Sequence, residues 1–261
     1  MKPHPAPSAA PQRAVSAPPT DSGCELSLVA PAYDEEPNIE SLYRRVVEVF
    51  GERAGWELIL VDDGSRDRTP QLIRELALRD ARVVGVFFEK NCGQTAAIEA
   101  GVRHARGRLI GTLDADLQND PGDLVALLER LGEHDAVVGF RERRQDTLVR
   151  RMSSRIANGI RNKLSGDQIR DTGCSLKLFR AEALRTVPLF DGMHRFLPTL
   201  LRYRGFRVVE VAVSHHPRQA GKSKYGIRNR AWRAFKDLLA VRWMRGRMIR
   251  SRVREVVRHE R

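Results

Sequence analysis

Leu109-Ile110-Gly111-Thr112-Leu113-Asp114-Ala115-Asp116-Leu117-Gln118 is an apolar run that ends abruptly in two carboxylates and an amide. Side chains of an extended chain alternate between faces, so the spacing predicts Asp114, Asp116 and Gln118 together at the end of a buried strand. Three hard oxygen ligands of this kind suit Mg2+ or Mn2+, which retains waters and takes its other ligands from substrate phosphates. A strand running into an acidic, solvated turn explains the same residues without a ligand. The neighbouring stretches decide between the two.

Upstream, short apolar runs alternate with helical patterns. Glu25 to Pro31, Trp56 to Val61 and Arg82 to Phe88 read as buried strands. A helix begins at Pro37, with Ile39, Leu42, Val46, Val47 and Phe50 at helical spacing. A second opens on the cap-and-proline pair Thr69-Pro70, and a third runs from Gln94 to Ala105 with Gly107 as its stop. Downstream, Asp120 and Pro121 introduce a helix bearing Leu124, Leu127, Leu128 and Leu131, and Ala136 to Phe140 is a fifth strand. Strand–helix alternation over residues 25–140 predicts an α/β fold with a mainly parallel, doubly wound sheet. Ligands bind such sheets outside the carboxyl ends of the strands. Topology alone therefore gathers Tyr33, Glu35, Asp62, Asp63, Asn91 and Asp114 at one cleft.

The second half is less regular. Thr147 to Leu164 reads as a basic amphipathic helix, and Ser175 to Phe179 and Arg207 to Val213 as further strands. Residues 217–225 form a basic loop, and from Asn229 onward a helix carries Trp232, Phe235, Leu238, Leu239, Trp243 and Met244. Arg242, Arg245, Arg247, Arg250, Arg252 and Arg254 are denser than packing requires, and the tryptophans suit a lipid interface. His194, His215 and His216 lack metal-ligand company and read as structural.

Composition narrows the partners. Lys and Arg number 46 against 33 Asp and Glu, a net charge of +13, which points to nucleic acid, an acidic membrane surface or a phosphorylated substrate. Cys24, Cys92 and Cys174 are too scattered for a disulfide scaffold or a zinc site and fit a reducing compartment. Residues 1–23, rich in Pro, Ala and Ser, read as a disordered tail without the apolar core of a signal peptide. No later run approaches the roughly 18 consecutive apolar residues of a membrane span. The expected organisation is that tail, a catalytic domain over residues 24–226 and a basic helical segment over 227–261.

Seven stretches together resemble family 2 glycosyltransferases of the GT-A fold, and more narrowly the polyprenyl-phosphate sugar transferases typified by dolichol-phosphate mannose synthase. They are VAPAYDEEPNI, LILVDDGSRDRT, NCGQTAAIEAG, DADLQNDP, GFRERR, IRDTGCSLKLFR and HPRQAGKSKYG, in order between about residues 25 and 226. The resemblance implies a Rossmann-like sheet and a nucleotide held by Pro31, Tyr33, Glu35 and Asp62, with Asp63 and Asn91 beside them. It implies Mg2+ or Mn2+ on Asp114, Asp116 and Gln118, and an acceptor phosphate on Arg141, Arg150, Ser154 and Arg218, assisted by Lys222 and Lys224. Asp114, Asp116, Arg141 and Arg218 would then be the groups closest to the chemistry, and Asp171 would orient sugar or metal, or merely cap a turn.

The activity so implied is inverting transfer of a sugar from a UDP- or GDP-sugar to a polyprenyl phosphate, on the cytoplasmic face of a membrane and with no nucleic acid. Relatives of this kind often end in transmembrane helices. Either the basic helix suffices for membrane contact here, or an integral membrane partner receives the product. Two rivals stand beside this reading: transfer to a saccharide or glycolipid hydroxyl, which needs a base such as Asp171, and a non-catalytic nucleic-acid or membrane-binding protein.

Overall fold

The protein's structure, a computed structural model, describes residues 23–141, 166, 169–216 and 227–247, the last including only the backbone of 227–234. Residues 1–22 of the tail, the 147–164 helix, the 217–225 loop and the arginines beyond Arg247 lie outside the described residues. So do Arg150, Ser154, Arg218, Lys222 and Lys224.

In chain order the elements are β1 (Leu26–Ala32), α1 (Glu36–Phe50), β2 (Trp56–Asp62), α2 (Thr69–Arg79), β3 (Val83–Phe87), α3 (Gln94–His104), β4 (Leu109–Thr112), α4 (Asp123–Leu131), β5 (Ala136–Arg141) and β6 (Lys177–Arg180). Then follow α5 (Ala181–Arg185), a 3-10 turn (Met193–Phe196), α6 (Leu197–Tyr203), β7 (Val208–Val213) and α7 (Ile227–Arg247). The seven strands form one sheet in the order β3-β2-β1-β4-β6-β5-β7. It is mainly parallel, as the alternation of strands and helices predicts. The exception is β6, which runs antiparallel to both β4 and β5.

The strands are continuously apolar because both faces of the sheet are covered. Leu28, Leu58 and Leu60 point to the side packed by α1, α2 and α4. Val29, Ile59, Val61 and Ile110 point to the other, packed by α3, α6 and the inner side of α7, where Leu238 and Val241 are buried. From β1 the chain winds outward through β2 and β3, then crosses back through α3 to place β4 on the other flank of β1. The loops after β1 and β4 therefore diverge at the switch point where such sheets bind ligands.

The reversed β6 has a local consequence. Its first residue, Lys177, pairs with Thr112, the last residue of β4. A residue at the start of a strand thereby reaches the carboxyl edge where the functional loops emerge.

One turn on that edge admits only glycine. Gly64, after β2, has φ +70°, and a Cβ there would meet the Lys90 carbonyl carbon and lie 2.6 Å from the Asn91 nitrogen. Both are backbone atoms that cannot swing aside. Gly64→Ala is expected to destabilise the fold by about 2–4 kcal/mol, read as a lower urea midpoint at unchanged slope. A midpoint within error of the parent would contradict this close approach.

Candidate active site

The loops after β1 and β2 are joined by alternating donors and acceptors. Asp34, in left-handed backbone at φ +48°, donates its N–H to Ser65 Oγ at 2.9 Å, and its carboxylate accepts the Arg66 N–H at 2.7 Å. The Glu36 N–H reaches Asp67 at 3.2 Å, while the Glu36 carboxylate accepts the Arg68 N–H at 3.1 Å. Thr69, expected as a helix cap, is instead the first residue of α2, and its hydroxyl accepts the Glu35 N–H at 2.9 Å. The local cap comes from Asp67, whose Oδ1 accepts the Thr69 N–H at 2.9 Å. Pro31, Tyr33 and Glu35 stand half-buried along this rim, with the Glu35 carboxylate accepting from Asn38 at 2.6 Å. Buried Asp62 accepts the Ser65 N–H at 3.3 Å.

Asp63 faces the loop after β3. Its carboxylate accepts the Cys92 N–H at 2.6 Å, the Gly93 N–H at 2.9 Å and Asn91 Nδ2 at 3.0 Å. Burial pushes its pKa up, against the pull of the two backbone N–H groups. Asp63 and Asn91 thus reach the cleft edge with their polar groups engaged with each other.

The loop after β4 departs from the extended geometry that its spacing predicts. The strand ends at Thr112, a turn covers Ala115 and Asp116, and Leu117 is left-handed at φ +56°. Asp116 Oδ1 accepts the Gln118 N–H at 3.1 Å, a local Asp-turn bond that competes with strand pairing. The two carboxylates nevertheless stay together. Asp114 accepts Gln94 Nε2 at 2.9 Å. Its pKa is raised by burial and by the Asp116 charge, opposed by Ser175, Lys177 and Arg141. Asp116 is almost fully buried, and Gln118 half-buried. The far end of the loop is anchored by Asp120, whose carboxylate takes the Arg45 fork at 2.8 and 2.9 Å. Gln118 O accepts the His216 N–H at 2.9 Å.

No group of three His, Cys, Asp or Glu among the described residues could hold a metal. Two adjacent carboxylates and an amide remain a suitable set for Mg2+ or Mn2+, which completes its shell with water and phosphate oxygens.

Across the cleft stands a cationic half. Arg141, at the end of β5, grips Asp171 with Nε at 2.6 Å and Nη2 at 2.9 Å, both side chains being largely buried. Burial opposes the Arg141 charge, but the Asp171 hydrogen bonds and charge more than compensate. Lys177 is buried beside them, and its ammonium donates to the Cys174 carbonyl. Burial lowers its pKa, opposed by Cys174, Asp114 and Asp171. His194 sits behind, its Nδ1 2.6 Å from Thr95 Oγ1. Burial, with the charges of Lys177 and Arg195, pulls it down to about 3, so it stays neutral.

The structure thus places Asp116, Lys177 and Arg141 within electrostatic reach of Asp114, with Asp171 on Arg141, while Gln118 joins them through its backbone N–H on Asp116. Two further residues of the site, Gln94 and Lys177, lie within the stretches NCGQTAAIEAG and IRDTGCSLKLFR, but neither residue type nor spacing singles them out. Gln94 follows a turn that needs no ligand, and Lys177 lies within an apolar strand, so neither has a spacing signal.

The family model described as Glycosyl transferase family 2 matches residues 27–187. The chain is 43% identical over 224 residues to a dodecaprenyl-phosphate galacturonate synthase of Rhizobium johnstonii, covering 83% of this chain and 66% of that protein. It is 38% identical over 207 residues to an undecaprenyl-phosphate 4-deoxy-4-formamido-L-arabinose transferase of Edwardsiella ictaluri, covering 77% and 63%. The chain spans slightly less than two thirds of the length of these curated relatives. Among solved structures, glucosyl-3-phosphoglycerate synthase of Mycobacterium tuberculosis with Mn2+, UDP and phosphoglyceric acid superposes with TM-score 0.63 at 18% identity, over 89% of this chain and 82% of that one. A mannosyltransferase of Pyrobaculum calidifontis with GDP-Man and Mn2+ gives 0.60 at 21%, over 90% and 68%. At these identities the likeness is one of fold.

Proposed function

The chain belongs to glycosyl transferase family 2, and on that premise we propose that it transfers a sugar from a UDP- or GDP-sugar to a polyprenyl phosphate, with inversion and with a divalent metal. The observation that carries the reading is the 43% identity, along 83% of the chain, with a polyprenyl-phosphate sugar transferase.

The residues divide the work. The stapled rim of Pro31, Tyr33, Glu35 and Asp62 receives the nucleoside, with Asp63 and Asn91 supporting its floor. Asp114, Asp116 and Gln118 would hold Mg2+ or Mn2+, which when bound draws charge from the departing diphosphate. A phosphate acceptor is anionic near neutral pH and attacks without a strong base. It does need cations to bring it against a second anion. Arg141 supplies one. Arg150, Ser154, Arg218 and Lys222, outside the described residues, complete that side in this reading.

A hydroxyl acceptor would need a base, and Asp171 is the candidate. Its two oxygens are held by the Arg141 fork, which favours the phosphate acceptor. The test incubates purified protein and Mn2+ or Mg2+ with UDP- and GDP-sugars and short polyprenyl phosphates. Lipid-linked sugar is the expected product. Transfer to a saccharide alone would overturn the proposal.

The acceptor's lipid brings the protein to a membrane, in this reading at the cytoplasmic face. No described helix is long and apolar enough to cross one. Helix α7 buries Leu238 and Val241 and exposes Phe235, Leu239 and Trp243 at helical spacing, beside Arg242 and Arg247. Replacing all three exposed residues by Ser is expected to weaken sedimentation with anionic vesicles about tenfold while leaving Tm unchanged. Undiminished sedimentation would remove α7 from the membrane contact and favour an integral membrane partner.

A further inference from the structure

We propose that Lys177 contacts the transferred sugar, its buried ammonium donating to sugar oxygens between the Asp114–Asp116 pair and Arg141. The inference rests on the sugar-transfer reading and deepens it by naming a residue that reads the sugar.

An ammonium carries three N–H donors and has no acceptor capacity. Among the described residues, the hydrogen-bond partner of Lys177 Nζ is the Cys174 carbonyl. Yet the side chain is buried, with only 5% of the residue exposed. Burying a cation with most of its donors unused is unfavourable unless its environment or a ligand compensates. Asp114 and Asp171 are near enough to act on its charge, and Arg141 opposes it. These carboxylates are committed elsewhere: Asp114 accepts from Gln94, and Asp171 holds the Arg141 fork.

Position identifies what the spare donors meet. Lys177 opens the antiparallel strand β6, registered against the end of β4 on one side and against Val138 of β5 on the other. Asp114 lies two residues beyond the end of β4, and Arg141 ends β5. In the proposed reaction the diphosphate leaves from the first and the acceptor phosphate arrives at the second. The group that bridges the two is the sugar, and its hydroxyl, ring or carboxylate oxygens are the acceptors that an ammonium between them would find.

The experiment compares wild type, Lys177→Met and Lys177→Arg, each with Mn2+, by calorimetric titration of UDP and GDP and of UDP-glucose, UDP-galactose, UDP-galacturonate and GDP-mannose. Sugar transfer and Tm are measured alongside. Lys177→Met is expected to bind the preferred nucleoside diphosphate as wild type does and its nucleotide sugar about tenfold or more weakly, the scale of a lost charged hydrogen bond. The KM for that donor should rise correspondingly, and Lys177→Arg should recover part of the loss. Equal weakening of nucleotide and nucleotide sugar, or no change in either, would overturn the assignment while leaving sugar transfer intact. A wild-type protein that neither binds nor turns over any of these donors would instead remove the sugar-transfer reading, and the inference with it.

Discussion

Asp114→Asn is expected to lower kcat/KM for sugar transfer by about a thousandfold or more, the scale of losing a group that stabilises charge developing in the transition state. The substitution keeps the shape of the side chain and removes one negative oxygen from the pair that would hold the metal. Stability should move the other way or not at all. Burial and the neighbouring Asp116 charge raise the Asp114 pKa in the fold. An acid whose folded pKa is raised contributes most to stability below its unfolded pKa, and that contribution is lost as pH rises through the folded value. At neutral pH the ionised form is therefore unfavourable to the fold, and a neutral amide relieves it. The expected result is a Tm equal to or above the parent's, with turnover and Mn2+-dependent nucleotide binding both lost. A variant that retains transfer would displace Asp114 from the site.

The second large effect concerns Arg141. Arg141→Ala would strand Asp171, so its consequences would mix stability with catalysis. Arg141→Lys keeps the charge and gives up the fork. It is expected to reduce kcat/KM for the lipid phosphate about a hundredfold, through loss of bidentate positioning, with little change in the KM for the donor. Asp171→Asn provides the contrast. If Asp171 acts through Arg141, the loss should be about tenfold, and the pH dependence of kcat should keep its form. Near-complete loss in Asp171→Asn, together with disappearance of the low-pH limb from the pH profile, would identify a general base and revive the hydroxyl acceptor.

The half of the molecule before Arg141 is legible because two-sided burial writes itself into the chain. Leu58-Ile59-Leu60-Val61 is apolar throughout since alternate residues enter different cores. Helices α1 and α4 show their buried stripes at helical spacing, and the carboxyl edge follows from topology. What escapes is set by contacts remote in sequence. The orientation of β6 depends on its two neighbours and leaves no mark in Lys177-Leu178-Phe179-Arg180. The Arg141–Asp171 pair joins residues 30 positions apart. Asp114 and Asp116 are legible as a pair, but the extended path between them is not what the chain adopts, since Asp116 folds back on the Gln118 N–H. Thr69 misleads for a similar reason, its hydroxyl being taken by Glu35 rather than by its own helix.

The staples between the loops after β1 and β2 bear on affinity as much as on shape. Backbone N–H groups of Asp34, Glu35, Glu36, Arg66 and Arg68 already have side-chain partners across the gap. Fixing a backbone residue restricts about 1–2 kcal/mol of conformational entropy. Here that restriction is met when the domain folds, before any nucleoside arrives. The rim therefore meets its ligand already ordered, and more of each contact formed there survives as binding free energy.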